Sequence, residues 1–131
     1  MKVVGAVIRN RRDEFLLQQR DGNAPSFRHY WTLFGGVVEA GETPEHALRR
    51  ELMEELRLPS ERIQGLRLTQ HNHIPRDTEQ FIFELTTDAD VDGLELHEGE
   101  AMAFVAEADL FNRQFAFNIE QVLRDYLAGK N

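Results

Sequence analysis

The sequence predicts an α+β fold in which one mixed β-sheet is layered between helices. Three observations carry this prediction. Short runs of apolar, β-branched and aromatic residues recur in the order strand, strand, strand, and these are followed by a helix-period segment, further strands and a terminal helix. Gly, Pro, Asn and Asp cluster at the junctions, where turns need them. A length of 131 residues with 41% apolar content suits a single domain, 1–131, with a substantial core.

Lys2–Arg9 (KVVGAVIR) reads as a buried strand, residues 10–13 as a turn, and residues 14–20 (EFLLQQR) as the neighbouring strand. Residues 21–30 (DGNAPSFRHY) form a loop with turn residues first and aromatics later. Phe27, Arg28, His29 and Tyr30 are recognition candidates there, and a loop folded over the sheet by its aromatics is the slightly favoured reading. Residues 31–34 (WTLF) resume a strand. Gly35-Gly36 then lets the main chain approach a ligand with no side chain in the way.

Thr43 as N-cap, Pro44 at the first helical position and Glu45 in the positive first turn open a helix over residues 44–57. Residues 63–74 and 79–87 read as a hairpin turning at 75–78, and Ala101–Val105 as a strand. A short helix is expected at 109–111. A longer one is expected at 117–128, with Ile119, Val122, Leu123 and Tyr126 inward and Gly129 ending it.

The helix over 44–57 carries the chemistry. At about 100° per residue, Glu51, Glu54 and Glu55 share one narrow wedge beside an apolar stripe of Leu48, Leu52 and Leu56. Carboxylates at this spacing repel one another and weaken an isolated helix. A hard divalent cation reverses that cost, and oxygen-only ligands suit Mg²⁺ or Mn²⁺. A glycine carbonyl from the preceding loop is a further candidate ligand. Arg50 can pair with Glu42 or steady Glu51 through bidentate hydrogen bonds. The plainer reading is a solvated acidic helix face, which leaves the Gly, Glu and Arg at fixed offsets upstream unexplained. At ~5–7% usage per residue type, such a set of matches arises by accident in on the order of one chain in 10⁵.

At Gly36, Glu42, Arg50, Glu51, Leu52, Glu54, Glu55 and Leu58 the chain resembles the Nudix hydrolases. Their signature is G, five residues, E, seven residues, R-E-U-x-E-E-x-G-U, with U aliphatic. Arg57 stands where the family usually has a helix-ending Gly, and Phe34 replaces a Pro that often precedes the glycine pair. The resemblance implies the Nudix-type α/β/α sandwich with a mixed central sheet, and a metal-dependent, MutT-like hydrolase of a nucleoside diphosphate linked to another moiety. It implies Glu54, Glu55 and Glu51 as ligands of Mg²⁺ or Mn²⁺ with the Gly35 carbonyl. Glu51 orients or deprotonates water, with Arg50 and Glu42 holding it; Glu98 and Glu100 are the other candidates for the base. It also points to Gly36, Arg20, Glu98, Glu100 and Asn118 as substrate contacts, although Asn118 is equally explained as an N-cap. The resemblance allows a homodimer, for which the sequence shows no interface. A catalytically silent nucleotide-binding module is the rival reading, and such modules usually lose signature carboxylates. An isomerase of the isopentenyl diphosphate type needs a cysteine that this chain lacks.

The absence of cysteine also excludes disulfides and Cys-based zinc sites. The formal charge of −8 disfavours nucleic-acid binding and requires a metal to change the sign of a diphosphate site locally. No apolar run reaches the ~18 residues of a membrane span, and no signal h-region is recognised, so a cytoplasmic location is the default expectation. His71 and His73 alternate onto one strand face as a metal pair would, but no third ligand is expected nearby, so polar residues on a sheet rim is the reading adopted. Residues 88–93 imitate the start of a calcium loop, and Gly99 occupies the position of its closing Glu, which rejects the match.

Overall fold

The computed structural model describes residues 1–129. Its strands are β1 (Lys2–Arg9), β2 (Phe15–Gln19), β3 (Trp31–Thr32), β4 (Phe34–Val37), β5 (Gln64–Ile74), β6 (Thr78–Thr86) and β7 (Ala101–Val105). The two α-helices among the described residues are α1 (Pro44–Leu56) and α2 (Ile119–Gly129). All seven strands join one sheet in the order β3-β2-β1-β6-β5, with β4 paired to β1 and β7 to β2. The β1–β6 pairing is parallel and the others are antiparallel, so the sheet is mixed.

Strand alternation divides the core into two layers. Val4, Ala6 and Ile8 of β1 pack with Phe83 and Leu85 of β6 against Ala47, Leu48, Leu52 and Leu56 of α1. On the other face Val7, Phe15, Leu17, Ile82 and Val105 pack against Ile119, Val122, Leu123 and Tyr126 of α2. One helix on each face of a mixed sheet is the expected sandwich. The leucine stripe of α1 is fully buried; truncating any of these leucines costs roughly 2–5 kcal/mol. No helix among the described residues is long and apolar enough to cross a membrane.

Three elements differ from expectation by more than the one-residue shifts seen at other element ends. The strand expected over 31–34 is two short strands, the second continuing through both glycines to pair with β1. The last helix starts at Ile119 rather than 117 because Phe117 sits at φ 55°, which no right-handed helix accommodates. The short helix expected at 109–111 is a 3₁₀ turn at Glu107–Asp109.

The end of α1 shows how the chain copes without its signature glycine. Thr43 caps the N-terminus, its Oγ1 accepting from the His46 N–H at 3.1 Å. At the other end Arg57 itself takes the left-handed conformation, φ 54°, and its N–H donates to the Met53 carbonyl at 3.0 Å. The penalty for a side chain there, about 1–2 kcal/mol, exceeds the extra unfolded-chain entropy that glycine brings, about 0.4–1 kcal/mol. Arg57→Gly is therefore expected to stabilise the protein by about 0.5–1 kcal/mol, read as a higher midpoint in urea. An unchanged or lower midpoint would show that the Arg57 side chain makes compensating contacts.

Candidate active site

Arg50 is the hub of the site. Its Nε and Nη2 donate to Glu42 Oε2 and Oε1 at 2.8 and 2.9 Å, a bidentate pair. Nη1 donates to Glu51 Oε1 at 2.8 Å and reaches Glu54 Oε2 at 3.4 Å, while Nη2 also donates to the Val37 carbonyl at 3.1 Å. One guanidinium thus ties the loop before α1, the end of β4 and two carboxylates of the wedge. Both pairings allowed by the sequence are present together. Glu42 is held from three sides, since it also accepts from the Glu39 N–H at 2.9 Å and lies 3.2 Å from His46 Nδ1. The Arg50 hydrogen bonds, and then the Glu39 N–H, pull its carboxyl down to about 2. The same pairing drives Arg50 above its usual value.

The three wedge carboxylates sit at different depths. Glu54 is exposed, Glu51 is half-buried, and Glu55 is buried at 7% exposure. Burial raises the Glu51 carboxyl, against the opposing hydrogen bond from Arg50, and the charges of Glu54 and Glu98 add to the rise. Glu55 is pushed up to about 8, first by burial and then by the charges of Glu51 and Glu98. The Gly35 N–H, donating to Glu55 Oε1 at 3.1 Å, pulls the other way.

Each glycine of the pair makes room for a different thing. A Cβ on Gly36 would lie 2.5 to 2.7 Å from the carboxylate atoms of Glu51, so the missing side chain is the space that Glu51 occupies. A Cβ on Gly35 would meet the Val4 carbonyl oxygen of β1 at 2.0 Å, a backbone atom that cannot step aside.

The remaining candidates divide into two groups. Glu98 belongs with the cluster: its charge acts on both Glu51 and Glu55, and the segment before it is tied to the end of α1 through His97 N–H to the Glu55 carbonyl at 2.8 Å. Glu100 instead turns to His29 of the 21–30 loop, Oε1 to Nδ1 at 2.9 Å. Arg20 also serves that loop, donating from Nε to the Ser26 carbonyl at 3.1 Å and placing its guanidinium 4.9 Å from the Phe117 ring. Phe117 in turn packs on Phe27 at 4.8 Å. The loop is thus folded down by its aromatics. Asn118 exchanges two amide hydrogen bonds with buried Gln80, at 2.9 and 2.8 Å, and Asn72 joins them at 3.1 Å.

Gln80 was missed because its partner is 38 residues away and no local pattern marks it. The reading of His71 and His73 needs correction too: Glu79 is a third ligand-type group beside them. The hairpin register supplies it, pairing His73 with Glu79 across a turn that the sequence did indicate.

The NUDIX domain model matches residues 1–126, and the chain belongs to that family. It is accordingly a Nudix hydrolase, an enzyme that cleaves the diphosphate linkage of a nucleoside diphosphate joined to another group. A similar protein is the ADP-ribose pyrophosphatase of Methanocaldococcus jannaschii, 33% identical over 120 residues, which are 91% of this chain and 69% of that protein. The RNA pyrophosphohydrolase of Yersinia enterocolitica is 40% identical over 68 residues, but these are 52% of this chain and only 36% of the relative. A solved MutT structure, from work on the Aliivibrio salmonicida and Vibrio cholerae proteins, superposes with a TM-score of 0.75 at 25% identity, covering 98% of this chain and 99% of that one.

Two variants separate fold from site. Gly36→Ala displaces the flexible end of Glu51 and is expected to leave stability nearly unchanged while lowering kcat by about 10²-fold. Gly35→Ala strikes backbone and is expected to unfold or strongly destabilise the protein; equal effects of the two on stability would contradict the assignment.

The Glu55 carboxyl generates a pH prediction. Because its pKa is raised on folding, the unfolded chain loses this proton first, so the metal-free protein loses stability as pH rises from the ordinary carboxylate range to about 8. Glu55→Gln removes that loss and is expected to stabilise the metal-free protein by more than about 1 kcal/mol at pH 8, with little effect at pH 4, as measured by urea unfolding in EDTA.

Proposed function

We propose that this enzyme is a Mg²⁺- or Mn²⁺-dependent hydrolase of a small nucleoside diphosphate derivative, with ADP-ribose as the first substrate to test. The observation that carries the reading is the convergence of Glu51 and Glu55 at Gly35–Gly36, with the charge of Glu98 acting on both, Glu54 on the same turn and the guanidinium of Arg50 among them. Carboxylate oxygens with a backbone carbonyl are the donor set of a hard divalent ion. Glu54, Glu55 and Glu51 would hold it with the Gly35 carbonyl. Such an ion supplies positive charge to the diphosphate oxygens and acidifies water.

Within that site Glu51 is the base. Arg50 holds its Oε1, which leaves Oε2 to take a proton from water. The water oxygen attacks one phosphorus, the bridging P–O bond breaks, and the second phosphate leaves as an oxyanion. Arg50 and Glu42 act as positioning residues: the bidentate pair fixes the guanidinium that orients Glu51. Glu98, close to the same carboxylates, is the alternative base.

The relative from M. jannaschii supports ADP-ribose. The charge of −8 favours a small nucleotide over an RNA end. A nucleoside triphosphate is the second reading, favoured by the Asn118–Gln80 amide pair beside Phe117, Phe27 and Arg20, groups suited to the edge and face of a base.

ADP-ribose, nucleotide sugars, dinucleoside polyphosphates and (deoxy)nucleoside triphosphates, each with Mg²⁺ or Mn²⁺, form the deciding panel. Metal-dependent release of a nucleoside monophosphate is expected, and Glu54→Gln or Glu55→Gln is expected to cut kcat by about 10²-fold or more. Full activity in both variants would remove the metal assignment. Tight nucleotide binding with no turnover of any substrate would favour a silent binding module.

A further inference from the structure

His71 and His73 stand two residues apart on β5, so both side chains leave the same face of the strand. Glu79 of β6 lies directly across from His73, and its carboxylate approaches the same point. One ligand atom from each of the three falls within 4.8 Å of the other two. His71 Nε2 is 3.0 Å from Glu79 Oε1, and the two imidazole rings are 5.1 Å apart. Phe81 stacks on the His71 ring at 4.4 Å with an interplanar angle of 14°, which fixes the orientation of that ligand.

A His–Glu hydrogen bond on an exposed sheet accounts for His71 and Glu79. It does not account for a second imidazole whose ring nitrogen lies within 4.8 Å of the same carboxylate. Two nitrogens and one oxygen are the donors of a borderline ion with an open fourth position, and they are a poor match for Mg²⁺, which demands oxygen. Donor atoms of a tetrahedral zinc site lie about 3.3–3.5 Å apart. The exposed His73 can close the remaining gap by a small side-chain rotation.

We propose that His71, His73 and Glu79 form a transition-metal site, for Zn²⁺ or an ion of similar ligand preference, separate from the carboxylate cluster on α1. The sheet register sets the separation. Gly36, Val4, Phe81 and His71 follow one another across β4, β1, β6 and β5, three interstrand steps or about 14 Å. The competing cation is Lys2, opposite Glu79 on β1, whose charge joins His71 in lowering the Glu79 carboxyl. Glu79 also donates its N–H to the Met1 carbonyl at 2.9 Å, so an ion here would clamp the hairpin end to the start of β1. Binding would then stabilise the folded protein in proportion to its occupancy.

Titration calorimetry with ZnCl₂ in saturating Mg²⁺ tests the site on the full chain. Wild type is expected to take up one equivalent, and the Glu54→Gln/Glu55→Gln double variant is expected to retain it. His71→Ala, His73→Ala and Glu79→Gln, all with unchanged Tm in EDTA, are each expected to weaken it by more than about tenfold, a loss that even outer-shell partners can produce. Co²⁺ should give a visible d–d absorption in wild type and in the double variant but not in His73→Ala. No uptake by wild type, equal uptake by the folded His73→Ala variant, or loss confined to the carboxylate double variant would each overturn the proposal. The Mg²⁺-dependent activity enters none of these readings, so failure here leaves the hydrolase assignment standing.

Discussion

Like charges gathered on one turn of a helix repel one another, and here the guanidinium of Arg50 offsets that repulsion. It donates to Glu42, Glu51 and Glu54 and to the backbone of β4 at once. A lysine could not do this: an ammonium presents a point charge, whereas the planar fork of arginine reaches several acceptors in fixed directions. Because Glu42 precedes α1 and Val37 ends β4, the same side chain also sets the path of the loop between them. The site and the local fold therefore share one electrostatic fastener.

The second constraint is steric and comes from β4. Among the described residues that strand pairs only with β1, and it carries two glycines where a strand ordinarily gains from side chains. The loss in strand propensity is accepted because the space is used twice. At Gly35 the main chains of β4 and β1 approach within what would be a side chain's radius, and at Gly36 Glu51 occupies the vacated volume. The leucines of α1 then anchor the helix over this junction. Their burial lets the fold carry a repulsive cluster at its margin, with Glu55 taken below the surface.

What the sequence made legible follows from how local the cause was. The α1 cap, the leucine stripe and the wedge of Glu51, Glu54 and Glu55 depend on spacing within a few turns of chain, and Thr43, Leu48, Leu52 and Leu56 take the positions that spacing demands. The hairpin was equally plain. Less legible were groups joined by tertiary register. Gln80 meets Asn118 only because β6 lies beneath the start of α2. Glu79 joins the two histidines through strand pairing, a step that counting across the turn could have supplied. The choice between Glu98 and Glu100 was also out of reach of pattern. Two residues apart in a loop, Glu98 acts by its charge on Glu55 of α1 whereas Glu100 turns to His29, a division set by tertiary placement and not by spacing.

Arg57 shows how much of a motif is chemistry and how much is convenience. The signature glycine ends the helix by allowing a positive φ, and Arg57 adopts φ 54° all the same. The backbone is compelled from both sides: Leu56 and Leu58 are each almost wholly buried, so the chain must turn between them. Two anchored leucines, worth several kcal/mol together, override a left-handed penalty of about 1–2 kcal/mol. No comparable force could override a side chain at Gly35, where the obstacle is another backbone. A glycine is thus dispensable where burial nearby can supply its conformation, and indispensable where it gives room to another backbone.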